Sequence, residues 1–274
     1  MRAGLIQAAL ARAPRHRTPW AGRIPLAHRD NLQSVGTWDF GLLDNDTSMD
    51  GLGDLVHGIT EDIARIGAAK PSASTAARLG GAIGVLLQLA GHSFAADSTT
   101  AAPITAVAKA QAGPIAKLPS GTRRILEKVS AGQGHVLAGR PAKMSVARAA
   151  LLHTGSKRSP FGKREPALFA TKAGAAYVQV VARRCIKMLD EDFADASNWS
   201  DLCREGIGMG GLAALMVLAP CRLPARKLES WRRKAKQGLA ELEAAKDDEL
   251  SFQRKYYANL DRIFAILLRR ADAS

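Results

Sequence analysis

The chain has 274 residues, 47% of them apolar and only 5% aromatic, and its 39 Lys and Arg against 25 Asp and Glu leave a net charge of +14. At about 100–200 residues per domain this length allows one large domain or two small ones, and the scarcity of aromatic and β-branched runs beside abundant Ala excludes an all-β fold. Three cysteines, Cys185, Cys203 and Cys221, are too few and too odd in number for a disulfide scaffold and fit a reducing cytoplasm.

Residues 1–30 are basic, with no acid before Asp30. They lack an apolar core followed by a small-residue cleavage site, so a flexible arm is expected and not a secretory signal. Beyond the arm, Met49, Leu52, Leu55, Val56, Ile59, Ile63 and Ile66 recur at spacings of three and four, with Asp and Glu opposite. That period predicts an amphipathic helix. Thr47 and Asp50 supply an S/T-x-x-D start whose acids suit the helix dipole. Gly51, Gly53 and Gly58 weaken it by about 1 kcal/mol each relative to Ala, so packing must hold it.

A second helix is predicted from Ser72 to about Ala90. From Leu79 onward it is apolar on nearly every side, which belongs at the centre of a bundle, and Gly80, Gly81 and Gly84 allow a neighbour to come close. Pro103, Gly113, Pro114 and Pro119 then break the chain into shorter helices at 104–112, 120–130 and 144–152. Residues 154–166 (TGSKRSPFGKREP) read as a basic loop, a lobe boundary or an exposed binding loop.

The next helix is predicted over Leu168–Leu189, with Phe169, Tyr177, Val180, Val181, Cys185 and Met188 on one side. An acidic turn region follows at 190–201, then a buried helix at 199–219 ended by Pro220. Residues 225–246 read as a charged helix with Leu228, Trp231, Leu239 and Leu242 inward, and 249–270 as a strongly amphipathic one with Phe252, Tyr256, Leu260, Ile263, Phe264, Leu267 and Leu268. No repeat is visible, which argues against a solenoid. No apolar run reaches the ~20 residues of a membrane span; the nearest, Gly206 to Pro220, reads as a buried helix. The expected fold is an all-α globular bundle of seven to nine helices. Its lobes are 31–155 and 156–274, joined near residue 155, or one continuous domain.

Charge is segregated along the chain. Residues 30–66 carry a run of Asp and Glu against one base, Arg65, whereas 113–172 are strongly basic with only Glu127 and Glu165 as acids. Such a layout suits acidic or polyanionic partners, and it also allows the acidic segment to neutralise part of the basic one. Arg123, Arg124, Lys157, Arg158, Lys163 and Arg164 are the candidate contact residues of the basic middle.

The most unusual stretch is 36–55, GTWDFGLLDNDTSMDGLGDL, with the skeleton Trp38, Gly41, Asp44, Asn45, Asp46, Asp50, Leu55. Asp and Asn satisfy free backbone N–H groups where a helix begins, so the Asp44–Asn45–Asp46 turn reads as a helix cap locked by Trp38. A second reading is a hard-cation site at Asp44, Asp46 and Asp50. Counted from Asp46, residues Ser48, Asp50, Gly51 and Asp54 follow the spacing of a calcium loop, but the twelfth position is His57 and not the bidentate Glu. A third reading is an acidic contact patch for a basic partner.

The same skeleton resembles the W-G-x-G-x-F-[DE]-N-D-x-A-x-D opening of a bacterial family of small helical proteins, domain-of-unknown-function family 4259. The resemblance covers residues 36–95, where a second, Ala-rich helix also fits, and the closing helix with Arg269 and Arg270 is of the kind the family has. Asp39 stands where the family has Gly, Leu43 where it has Phe and Ser48 where it has Ala. The resemblance implies a helical fold and no assigned activity. Through the association of such proteins with toxin systems it implies an immunity or accessory role.

Other motifs are incomplete. His57, His92, His135 and His153 are far apart, with no H-E-x-x-H and no C-x-x-C. Gly91 to Ala95 lacks the preceding strand and closing Gly of a nucleophile elbow. Gly206, Gly208, Gly210 and Gly211 follow no strand, so they suit close helix packing better than a dinucleotide loop. The basic stretches 117–172 and 222–236 have the charge to contact nucleic-acid phosphates. Phe161 and Phe169 are the only stacking residues in the first stretch, so such binding would be unspecific.

These readings together lead to a non-catalytic cytoplasmic interaction protein of the immunity or accessory kind, with a protein partner and no cofactor. Its binding residues are Trp38, Asp44, Asn45, Asp46 and Asp50 with the basic residues above. The alternatives are a nonspecific nucleic-acid-associated protein and a metal-dependent hydrolase at Asp44, Asp46 and Asp50.

Overall fold

The computed structural model describes residues 46–90, 101–134, 165–195, 208–218, 221–244 and 251–272. The fold is all-α, and among the described residues there is no strand. The helices are α1 (Asp46–Ala68), α2 (Ala73–Ala90), α3 (Ala101–Ala110), the single turn α4 (Ala112–Ile115), α5 (Ser120–Ser130), the single turn α6 (Glu165–Leu168), α7 (Lys172–Asp195), α8 (Gly208–Val217), α9 (Ala225–Ala244) and α10 (Ser251–Asp272). The flexible arm, the 144–152 helix and residues 154–164 of the basic loop lie outside the described residues; the last two residues of that predicted loop, Glu165 and Pro166, begin α6 instead.

Helix α2 is the axis of the bundle. Every residue from Leu79 to Ala90 is buried, and α2 packs against α1, α4, α6, α7 and α8. A helix that is apolar all round can only be satisfied from all sides. Among the described helices α2 is long and apolar enough to cross a membrane, yet 78% of that stretch is buried inside the protein. The closest approach falls at its crossing with α7. A Cβ on Gly81 would lie 2.6 Å from the Gly174 carbonyl oxygen and 2.8 Å from the Gly174 Cα, so the two backbones touch without side chains between them.

Helix α8 wedges between α1 and α7. All ten of its residues are buried, and Gly210 lies against the α1 backbone at Ser48 and Leu52. Of the glycines that suggest a nucleotide loop in the sequence, Gly208, Gly210 and Gly211 therefore serve helix contact; Gly206 lies outside the described residues. Arg270 of α10 closes the C-terminus of α8. Its Nη1 donates to the Leu215 and Met216 carbonyls at 2.8 and 3.3 Å, and its Nη2 to that of Leu218 at 2.9 Å. The last carbonyls of a helix have no partner within it, and a guanidinium fills that need with charge of the favourable sign.

Helices α9 and α10 form an antiparallel pair that docks through rings. Phe193 of α7 stacks on Trp231 of α9, centroids 5.6 Å apart and planes 17° from parallel. Phe264 of α10 lies 6.0 Å from Phe193 and 6.2 Å from Trp231. Each such ring contributes on the order of 1.5–3 kcal/mol by burial. A single apolar cluster runs from Leu52 of α1 to Leu267 of α10, so helices on both sides of 154–166 share one core.

Both boundaries of the helix predicted over Leu168–Leu189 differ from expectation: Leu168 ends the turn α6, and α7 begins at Lys172. The acidic turn predicted from residue 190 begins instead as helix, and α7 continues to Asp195. Two of the acids there have partners on other elements. Asp190 pairs with Lys227 of α9, and Asp192 Oδ2 accepts the Gly208 N–H at the start of α8, at 2.7 Å. Phe193, next to Asp192, is buried at 4% exposure.

Candidate functional site

Among the described residues, the one strongly buried charge whose contacts span two helices is Asp62 of α1. Its side chain is 8% exposed. Oδ2 accepts the Tyr177 hydroxyl at 2.8 Å and pairs with Arg184 Nη2 at 2.7 Å; Oδ1 pairs with Arg65 Nη2 at 3.0 Å. A buried carboxylate is tolerated when its lone pairs are filled and its charge is opposed, and here both conditions hold. Arg65 is 74% exposed and Arg184 38%, so screening by water leaves Arg184 and Tyr177 as the stronger partners. The Tyr177 hydroxyl is held well above its usual pKa, first by burial and then by its bond to Asp62. It therefore stays protonated as a donor at neutral pH.

The signal for Asp62 is present in the sequence. It stands three residues after Ile59 and four before Ile66, on the apolar stripe and not opposite it. The opposite, solvated face does carry Asp54 and Glu61, which are exposed.

Tyr177 has a second neighbourhood. It helps line a groove of about 530 Å³ between α2 and α7, together with Ser74, Arg78, Lys172, Ala173, Ala176 and Val180. Arg78 and Lys172 are exposed. No acidic residue lines this groove.

The remaining reactive groups are quiet. Burial pushes the Cys185 thiol up, with the nearby Cys221 thiol adding to it, and burial raises Cys221 as well. Both are neutral thiols at pH 7, the unreactive form. Among the described residues no group of three or more His, Cys, Asp or Glu is arranged to hold a metal ion.

The residues singled out by sequence are dispersed. Helix α1 begins at Asp46, the last residue of the Asp-Asn-Asp turn; Trp38, Asp44 and Asn45 lie outside the described residues. Asp50 is exposed on the first turns of α1. The calcium-loop spacing fails as a loop, because Ser48, Asp50, Gly51, Asp54 and His57 all belong to the continuous helix α1. Helical geometry turns those positions around the axis, and Ser48 is fully buried. Arg124 is exposed on α5. Its neighbour Arg123 reaches the Ala116 carbonyl at 3.4 Å and Glu127 at 3.8 Å. Lys157, Arg158, Lys163 and Arg164 lie outside the described residues.

The expected neutralisation of the basic middle by the acidic front is not seen among the described residues. Their ion pairs join neighbours on one helix, Asp62 to Arg184, α7 to α9, or α9 to α10. Compared with protein-family models, curated proteins and solved structures, the chain finds no match.

Proposed function

We propose that the protein is a non-catalytic, cytoplasmic binding protein of the immunity or accessory kind, which engages an acidic partner protein through a basic helical surface. The observation that carries this reading is the way charge is divided on α7, α9 and α10. Four of the acids there are engaged within the fold: Asp190 with Lys227, Asp261 with Arg232 at 2.6 Å, Glu191 with Lys187 at 3.3 Å, and Asp192 with the start of α8; Glu229 and Glu243 of α9 are exposed. Arg226, Arg233 and Lys236 of α9 are exposed and pair with no acid among the described residues. A surface with an excess of one sign of charge steers and orients a complementary partner.

A protein partner is favoured over nucleic acid by the state of Trp231. The aromatic ring that the basic stretch 222–236 surrounds is 5% exposed and stacked on Phe193, so it offers no face for a base. The resemblance of residues 36–95 to family 4259 points the same way. The test is affinity capture from the cells that make the protein, using the full chain and the R226E/R233E/K236E variant. Capture of the same acidic protein by both, or of nucleic acid by the native chain alone, contradicts the proposal.

A further inference from the structure

We propose that the groove between α2 and α7 is a binding site for a small amphiphilic anion, with the anionic head between Arg78 and Lys172 and the apolar tail on Ala173, Ala176 and Val180. Four observations converge on it. Its volume, about 530 Å³, lies within the roughly 300–1,000 Å³ of small-molecule sites. Its two charged lining residues are both cations, exposed and without an ion pair among the described residues. The groove contains small or branched apolar side chains, so a purely inorganic anion would leave that surface wet. Its Tyr177 wall is pinned from behind by the buried Asp62, so that wall is preformed and the ordering opposing binding falls on the two cations.

The shape of the groove follows from the helix crossing. Gly81 and Gly174 bring the α2 and α7 backbones into contact. Away from that point the helices are lined by Ser74 and Arg78 on one side and Ala176, Tyr177 and Val180 on the other, and the small side chains leave a trough between them. The size also decides what fits. Seven residues line it, whereas a stable protein interface engages about 20–30 residues a side. A single small molecule is therefore the matching occupant. This site is separate from the α9 surface, and the two stand or fall independently.

The test uses isothermal titration of the full chain with monohexyl phosphate, with inorganic phosphate and hexanol as the two half-ligands. The expected result is saturable one-site binding of hexyl phosphate, with each half-ligand at least about tenfold weaker. R78Q and K172Q each weaken binding about tenfold, the loss of one charge-assisted contact. A176L fills the trough and abolishes binding of hexyl phosphate while leaving both cations in place. Vesicles of phosphatidic acid distinguish a bilayer headgroup from a free amphiphile; binding to vesicles but not to hexyl phosphate overturns the proposal. So does hexyl phosphate binding that is unchanged in the R78Q/K172Q double variant, or no saturation in the millimolar range. Both cations are exposed, so circular dichroism is expected to show these variants folded, and their loss of binding then reports on the site.

Discussion

The Tyr177 hydroxyl donates to Asp62 Oδ2 at 2.8 Å, joining residues 115 positions apart in the chain. This bond places the second turn of α7 against α1 and puts a carboxylate in a low-dielectric setting, where each partner matters in proportion to its own burial. Removing Arg184 leaves the carboxylate with Tyr177 and the more exposed Arg65. R184A is expected to cost about 2–3 kcal/mol in urea denaturation, against less than about 1 kcal/mol for R65A. Equal losses for the two variants would contradict this ranking.

The protonation of Tyr177 gives stability a definite pH dependence. Its folded pKa lies above the unfolded value near 10, because burial and the bond to Asp62 hold the proton. The folded state therefore binds more protons than the unfolded state above about pH 10, and stability falls as pH rises from there. The buried Cys185 thiol acts in the same direction, from about pH 9. Denaturation midpoints measured from pH 8 to 11.5 are expected to fall less steeply in Y177F than in the native chain. Parallel curves would show that Tyr177 ionises freely in the folded state.

Space around the backbone predicts opposite outcomes for two Gly→Ala changes, one at the α2–α7 crossing and one in α4. At Gly81 the new methyl group meets the backbone of Gly174, which has no flexible atoms to yield. G81A is expected to destabilise by about 1–3 kcal/mol or more. At Gly113 nothing lies within 4 Å of an added Cβ, and the smaller unfolded-state entropy makes G113A neutral or stabilising by about 0.4–1 kcal/mol. Thermal melts of the two variants check both signs.

Arg269 and Arg270 are adjacent in sequence and different in role. Arg269 is exposed, while Arg270 holds three carbonyls at the end of α8. R270M is expected to cost about 2 kcal/mol by leaving those acceptors unfilled, and R269M to stay within about 0.5 kcal/mol of the native chain. Denaturant midpoints with unchanged m-values report the difference directly.

Much of the fold is legible in the sequence because its helices carry their own period. Leu52, Leu55, Ile59, Ile63 and Ile66 are buried as spaced, and so are Tyr256, Leu260, Ile263, Phe264 and Leu267 on α10. The all-round apolar run from Leu79 likewise takes the centre. What escapes the sequence depends on partners far along the chain. Asp190 and Asp192 resemble a solvated turn until Lys227 and the start of α8 are brought beside them. Asp62 is hidden among other acids although it lies on the buried stripe. Arg78 and Lys172 belong to segments that show no relation until α2 and α7 cross. Of the Asp-Asn-Asp turn only Asp46 is described, as the first residue of α1, and the proposed calcium spacing dissolves into helix.

The most direct test of the binding role compares the native chain with R226E/R233E/K236E in chemical cross-linking followed by capture, at about 50 mM and about 500 mM salt. Screening shortens the reach of charge from about 14 Å to about 4 Å across that range. The expected result is one acidic protein retained by the native chain at low salt, weakened at high salt and lost in the variant. Retention of that protein by the charge-reversed variant at both salt concentrations would contradict an electrostatic docking surface on α9.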